Sequence, residues 1–134
     1  MLDVAEHSAT HNVTLKDISK RQAISEKYLW QIVRPLKAAG LIRTILGPGG
    51  GYALAREASQ ITLNDILAPL EGEEAIVPCV QKSSYCIRSH EGVARDVWKE
   101  LSRKLTEVLQ SMSLEDILQK QKNMTDNLAP MYCI

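Results

Sequence analysis

The sequence of 134 residues lacks the features that would place it in a membrane or outside the cell. No apolar run approaches the roughly 18 residues that cross a bilayer. Its first residues, MLDVAEHS, lack the basic and then apolar order of a signal peptide. The formal net charge at pH 7 is zero. We therefore expect a cytoplasmic protein with no membrane partner, built as one globular core with an appendage.

Patterns typical of enzymes are also missing. We find no Ser/His/Asp constellation and no paired-carboxylate arrangement. A glycine-rich run, GPGGG at residues 47–51, precedes an expected strand, whereas a loop that cradles phosphate precedes a helix. The sequence therefore predicts a protein that is not an enzyme.

The charge that is present is unevenly distributed. Residues 14–56 contain eight lysines and arginines against two acids, a local charge of +6, so the remainder carries −6. A basic segment in a neutral chain can face DNA phosphates while the acidic remainder faces solvent or a partner. Solvated helix surfaces produce the same pattern, so charge alone leaves both interpretations open.

Capping residues and apolar spacing predict short helices in the first half of the chain. Thr14 and Thr62 each precede an acid by three residues, as at a helix start, and so does Ser113. Ser25 begins another helix, which ends at Gly40.

Residues 41–46 and 51–55 read as two strands joined by a glycine-rich turn. Two helices at a tight turn followed by a hairpin is the order of a winged helix-turn-helix, whose second helix enters the major groove of DNA. We therefore assign residues 1–72 to such a domain, in a fold that is mainly α with a small β-hairpin.

The second half divides into a loop, a long helix and a tail. Residues 73–92 show no sustained period and are expected to form a cysteine-containing loop, and residues 119–134 are expected to form a flexible tail. Residues 93–118 form a long C-terminal helix whose apolar stripe needs a partner, which the same helix of a second subunit can supply. The residues assigned to this dimer interface are Val93, Val97, Trp98, Leu101 and Leu105.

Four motifs extend this interpretation: SEKYL at residues 25–29, LKAAGLI at 36–42, GPGGGYALA at 47–55 and ITLNDI at 61–66. Together they resemble the bacterial Rrf-two family, which includes the iron-sulfur cluster regulator, the nitric-oxide-sensitive repressor and the cysteine-metabolism repressor. The resemblance runs from Leu2 to about Leu118. It implies a homodimer that binds a palindromic promoter in double-stranded DNA and changes affinity when a cofactor or ligand changes state.

The resemblance and the predicted fold together select candidate DNA-binding residues. The exposed face near the start of the second helix reaches base edges and phosphates, and glycines let the hairpin tip approach the backbone closely. A packed aromatic is the alternative interpretation of Tyr28. The candidates are Ser25, Lys27, Tyr28, Gln31, Arg34, Arg43, Gly49 and Gly50.

Three departures from the family pattern affect the DNA-binding region. The family has additional residues at its front, so we expect that the start is misassigned or that part of the DNA-contacting surface is missing. Trp30 occupies a place that is often polar, and Leu46 stands where an arginine is usual. We therefore do not transfer the relatives' target sequence. A dimeric interaction module that has lost DNA binding is an alternative function.

The cysteines match the family only in part. Cluster-binding members hold three cysteines in the loop; Cys79 and Cys86 match the first two, but Gly92 stands at the third place, six residues before Trp98. An iron-sulfur cluster normally has four protein ligands, with histidine an occasional substitute for cysteine, so His90 is a further candidate ligand.

Three interpretations of this loop stay open. They are an iron-sulfur cluster with unusual ligands, a thiol switch, and a cluster-free regulator that senses a small molecule or a partner protein. The function expected from the sequence is a homodimeric repressor that responds to iron-sulfur, redox or nitrosative state through Cys79 and Cys86.

Overall fold

The computed structural model of the chain describes residues 1–71 and 92–132, with side-chain positions up to residue 128. The described part is mainly helical with one antiparallel hairpin, which confirms the expected fold class. The elements are α1 Leu2–His7, α2 Leu15–Gln22, α3 Glu26–Ala38, β1 Ile42–Ile45, β2 Gly51–Leu54, a 3₁₀ turn Ala58–Gln60, α4 Leu63–Glu71, α5 Val93–Ser111 and α6 Leu114–Tyr132.

Helices α2 and α3 form the helix-turn-helix, and side-chain caps set both starts. The Thr14 hydroxyl accepts a hydrogen bond from the Asp17 amide at 3.1 Å, and the Asp17 carboxylate accepts one from the Thr14 amide at 3.3 Å, which closes a capping box at α2. The Ser25 hydroxyl accepts from the Tyr28 amide at 3.2 Å and begins α3. Between the helices, Ala23 has a left-handed backbone with φ 54°. These features confirm the predicted pair of helices.

The short helix α1 is attached to α2 by a buried charged contact. The Asp3 side chain is almost fully buried, and both of its oxygens accept hydrogen bonds from the Arg21 guanidinium, at 3.0 and 2.5 Å. The Gln22 side-chain amide donates to the same carboxylate at 3.0 Å. Three donors therefore compensate the burial of one negative charge.

The connection between α5 and α6 packs back against the DNA-binding domain. The Leu63 amide donates to the Met112 carbonyl at 2.9 Å, and the Leu114 amide donates to the Ile61 carbonyl at 2.7 Å. Ile61 and Leu114 are both fully buried in one apolar cluster. Because this connection is part of the core, the end of α5 is fixed relative to the helix-turn-helix domain.

The predicted long helix and tail need correction. The helix expected over 93–118 is two helices, because α5 ends at Ser111 and Ser113 caps α6, accepting a hydrogen bond from the Asp116 amide at 3.1 Å. Residues 119–132, expected in a flexible tail, continue α6 to Tyr132. Contact with α1 supports α6, since the Gln121 side chain donates to the Glu6 carboxylate at 3.2 Å.

Helix α5 has no buried residue within the part of the chain that the structure describes. It contacts α4, and its half-buried residues Arg95, Ser102 and Leu109 recur every seven positions along one face. A second, apolar face is exposed. It consists of Val93, Val97, Trp98, Leu101, Leu105 and Val108. None of the described helices is long and apolar enough to span a membrane.

Candidate nucleic-acid interface

Helix α3 lies at the surface and is buried along one side only. Leu29, Val33 and Leu36 are the buried side chains, and their spacing of three and four residues places them on a single stripe. The opposite side of the helix is open to solvent. Its exposed side chains include Lys27, Tyr28, Trp30, Gln31, Arg34 and Lys37.

Several of these exposed side chains line one open groove along α3. Lys27, Arg34 and Lys37 supply three positive charges, and Trp30 and Gln31 lie between them in the sequence. Within residues 1–71 and 92–132, none of these three cations forms an ion pair. The groove therefore presents uncompensated positive charge, which favours a polyanion.

The hairpin, or wing, lies beside α3 and contacts it through β1. Its strands pair in the register Ile42 with Leu54 through Ile45 with Gly51. The turn between them depends on glycine, since Gly47 and Gly49 have φ values of 94° and 76°. Gly50 is required for another reason: a Cβ atom there would lie 2.4 Å from the Ile45 carbonyl oxygen. The predicted wing is therefore present and closely packed.

The loop after α1 supports this wing, which the sequence did not reveal. The Asn12 side-chain amide donates to the Gly49 carbonyl at 2.6 Å. Next to it, Val13 pairs with Tyr52 as a short β-bridge, with the Tyr52 amide donating to the Val13 carbonyl at 2.7 Å. The alternation of polar Asn12 with apolar Val13 was the only signal for a strand here, and it is too short to detect.

Two other cations of residues 14–56, Arg43 and Arg21, differ in whether they are available to bind phosphate. Arg43 is exposed on β1, where its Nε donates to the Leu54 carbonyl across the hairpin at 3.3 Å. Arg21 instead pairs with Asp3, and hydrogen bonds from Arg21 lower the pKa of Asp3 from 3.8 to about 2 although burial opposes this. The Asp3 carboxylate is thus held ionised, and Arg21 contributes little net charge to the surface.

Of the sequence positions linked to the candidate sensor, the structure describes only Gly92. Cys79, Cys86 and His90 lie outside the described residues. Gly92 is described and stands immediately before α5, with extended backbone and no side chain to bind a metal. Within the described ranges no group of three His, Cys, Asp or Glu side chains could hold a metal ion.

A helix-turn-helix with an exposed, basic second helix and a hairpin beside it is the architecture of winged-helix transcription regulators that bind DNA. A family model described as "Rrf2: Iron-dependent Transcriptional regulator" matches residues 1–120. The chain belongs to this Rrf2 family, the one that its motifs resemble. Because the relatives are named as transcription regulators, the expectation that the protein is not an enzyme is confirmed.

Two curated relatives show the extent of the similarity. Protein rrf2 of Nitratidesulfovibrio vulgaris is 37% identical over 118 residues, which cover 88% of this chain and 79% of the relative. The HTH-type transcriptional regulator IscR of Xenorhabdus nematophila is 37% identical over 122 residues, covering 91% of this chain and 74% of the relative.

Two solved structures share the fold. IscR of T. potens superposes with a TM-score of 0.72 at 35% identity and covers 90% of this chain and 78% of its own. CymR (YrzC), the global cysteine regulator of B. subtilis, superposes with a TM-score of 0.75 at 34% identity, covering 89% of this chain and 87% of its own.

Proposed function

We propose that the protein is a homodimeric repressor that binds a palindromic promoter in double-stranded DNA. Helix α3 would enter the major groove, and the wing would lie against the flanking backbone. The observation that carries this proposal is the open face of α3, where Lys27, Arg34 and Lys37 are exposed and have no ion-pair partner among the described residues.

The site residues divide by the part of DNA that they would contact. Gln31 lies on the open face of α3 and can exchange hydrogen bonds with a base edge. Exposed cations suit phosphate, which fixes position rather than sequence. We assign phosphate or backbone contacts to Ser25, Lys27, Tyr28, Arg34, Arg43, Gly49 and Gly50.

The proposed dimer uses the exposed apolar face of α5. Half of the large apolar side chains exposed in the described structure lie on this one helix. A contiguous apolar surface of this kind is typical of a protein interface. A second copy of α5, related by a twofold axis, would cover Val97, Trp98 and Leu101 and would place two α3 helices on one face of the DNA.

We assign the sensing function to the segment that contains Cys79 and Cys86. It joins α4, which belongs to the DNA-binding domain, to α5, which would form the dimer. A change in its iron-sulfur, redox or nitrosative state could therefore alter the spacing of the two α3 helices. Gly92 carries no thiol, so these residues do not complete the family's three-cysteine set.

Binding of DNA across a salt series tests the central proposal. The probe is the DNA upstream of the gene, measured by gel shift with wild type and with Arg34→Ala. Wild-type affinity should fall as salt rises, and Arg34→Ala should weaken binding and reduce the slope of log affinity against log salt by about 1. Lys122→Gln, an exposed cation on α6, is the matched control and should leave the slope unchanged.

The alternatives give different results. A dimer that binds no DNA at any salt concentration would support an interaction module instead of a repressor. Visible absorption of anaerobically purified protein addresses the sensor. Colourless, iron-free protein that still binds its promoter would exclude a cluster and leave the thiols, or another ligand, as the signal.

A further inference from the structure

Trp30 is a large apolar side chain on the open face of α3. Its side chain is 54% exposed, and it lies three residues after Lys27 and four before Arg34, so all three share one side of the helix. Among the described residues, its ring makes no aromatic or cation-π contact. The buried stripe of the helix does not need this residue, because Leu29 and Val33 already form the contact with the core.

The chemistry of the indole limits what it can recognise. Tryptophan has one N–H donor and no acceptor, so it cannot accept hydrogen bonds from the amino groups of adenine or cytosine. Among the groups that bases present in the major groove, the C5-methyl group of thymine is the largest apolar one. A large apolar side chain flanked by Lys27 and Arg34, which would hold the helix on phosphates, therefore fits that methyl group best.

We propose that Trp30 is a specificity-determining residue that contacts a C5-methyl group of a pyrimidine in the major groove. The inference rests on the proposed DNA-binding function and extends it to a particular base feature. Trp30 then selects among sequences, whereas Lys27 and Arg34 supply affinity for any sequence. The replacement of a polar residue by tryptophan at this position changes which operator is bound and does not abolish DNA binding.

Removal of the methyl groups alone tests this inference. A duplex is selected by the wild-type protein from a randomised pool, and a matched duplex is made with deoxyuridine in place of every thymine, which keeps base pairing and charge. Wild type should bind the uracil duplex more weakly, by about fourfold for each methyl group that it buries. Trp30→Ala should bind both duplexes with equal affinity, and Trp30→Leu, which keeps an apolar side chain, should retain part of the difference.

Lys27→Gln is the matched control on the same face of the helix. It should weaken binding to both duplexes by the same factor and leave their ratio as in wild type, because a phosphate contact does not depend on a base methyl group. The inference is overturned if wild type binds the selected duplex but does not distinguish thymine from uracil or methylated from unmethylated cytosine. It is also overturned if Trp30→Ala keeps the wild-type ratio.

Two further results distinguish thymine from 5-methylcytosine as the source of the methyl group, and failure of the Trp30 proposal from failure of the DNA-binding function. Tighter binding of wild type, but not of Trp30→Ala, to duplexes with 5-methylcytosine, together with no response to uracil, would identify methylated cytosine as the source and support the proposal. If no duplex can be selected and binding shows no salt dependence, the DNA-binding function itself has failed, and Trp30 loses its proposed role with it.

Discussion

Arg21 donates two hydrogen bonds to the two carboxylate oxygens of Asp3, and this pair joins α1 to α2. Asp3 is 7% exposed, so the contact lies largely out of water, where a paired charge is strongly favoured over an unpaired one. The pair has two consequences. It fixes the first helix of the described structure against the helix-turn-helix, and it compensates one of the eight positive charges between residues 14 and 56.

Replacement of Asp3 by asparagine should therefore destabilise the fold. The variant keeps the size of the side chain but leaves Arg21 beside a neutral amide, so we expect the free energy of unfolding to fall by about 2 kcal/mol. Urea denaturation at pH 7 measures this change. Glu100→Gln is the control, because Glu100 also pairs with an arginine, Arg103, but is exposed on α5. If Glu100→Gln lost as much stability as Asp3→Asn, burial would not be the reason that the Asp3–Arg21 pair stabilises the fold.

The same pair predicts how stability depends on pH. The pKa of Asp3 is lowered from 3.8 to about 2, chiefly by hydrogen bonds from Arg21, so the folded state favours the ionised carboxylate. Its contribution to stability is complete above about pH 4 and is lost as the pH falls through about 2. The difference in urea midpoint between wild type and Asp3→Asn should therefore narrow over this range.

Two other carboxylates also have a lowered pKa, and their contributions to stability must be separated from that of Asp3. Hydrogen bonds with Thr14 lower the pKa of Asp17, and those with Ser113 lower the pKa of Asp116. Both groups are present in wild type and in Asp3→Asn, so their contributions cancel in the difference between the two proteins. A difference that stays constant from pH 7 to pH 2 would show that Asp3 is not responsible.

Local signals in the sequence were sufficient for the helix-turn-helix and the wing. The caps at Thr14 and Ser25 and the glycines of the turn act over a few residues, so each can be read without knowledge of the fold. The Asp3–Arg21 pair and the Asn12–Gly49 hydrogen bond join residues 18 and 37 positions apart, and no local pattern encodes them.

The wrong prediction of one helix over residues 93–118 and a flexible tail over residues 119–134 has a related cause. The apolar repeat that predicts one helix over residues 93–118 continues across Met112, although the sequence also predicts a cap at Ser113. The bonds that break the helix at this point, from Leu63 to Met112 and from Leu114 to Ile61, depend on tertiary packing. The polar composition of residues 119–134 predicts a flexible tail. The contact from Gln121 to Glu6 that supports α6 joins residues 115 positions apart, so no local pattern encodes it.

The proposed dimer predicts the effect of a charge on α5. Leu101, 45% exposed, lies near the middle of the apolar face, so Leu101→Glu should place a negative charge in the interface and shift the protein to monomer by at least about tenfold in dissociation constant. Lys99→Glu introduces the same charge on the other side of the helix and should leave the dimer intact. Sedimentation equilibrium measures both, and equal effects would argue against this face as the interface.

Replacement of Gly50 in the wing tests whether the backbone path of the turn is required for DNA binding. A Cβ atom at Gly50 would lie 2.4 Å from the Ile45 carbonyl oxygen and 2.8 Å from that of Gly47, so Gly50→Ala must displace the turn. Because β1 and β2 form the base of the wing, the displacement should be greatest at its tip. We expect affinity for the selected duplex to fall about tenfold, equivalent to about 1.4 kcal/mol, with helical content unchanged by circular dichroism.

Thr44→Ala is the control for Gly50→Ala, since Thr44 is exposed on β1 and its truncation requires no backbone movement. It should bind the duplex within about twofold of wild type, because it leaves the path of the turn intact. If Gly50→Ala also binds as wild type does, the tip of the wing makes no energetically important contact with DNA. The affinity would then come from α3 alone, and the exposed Leu46 beside the turn would have no role in binding.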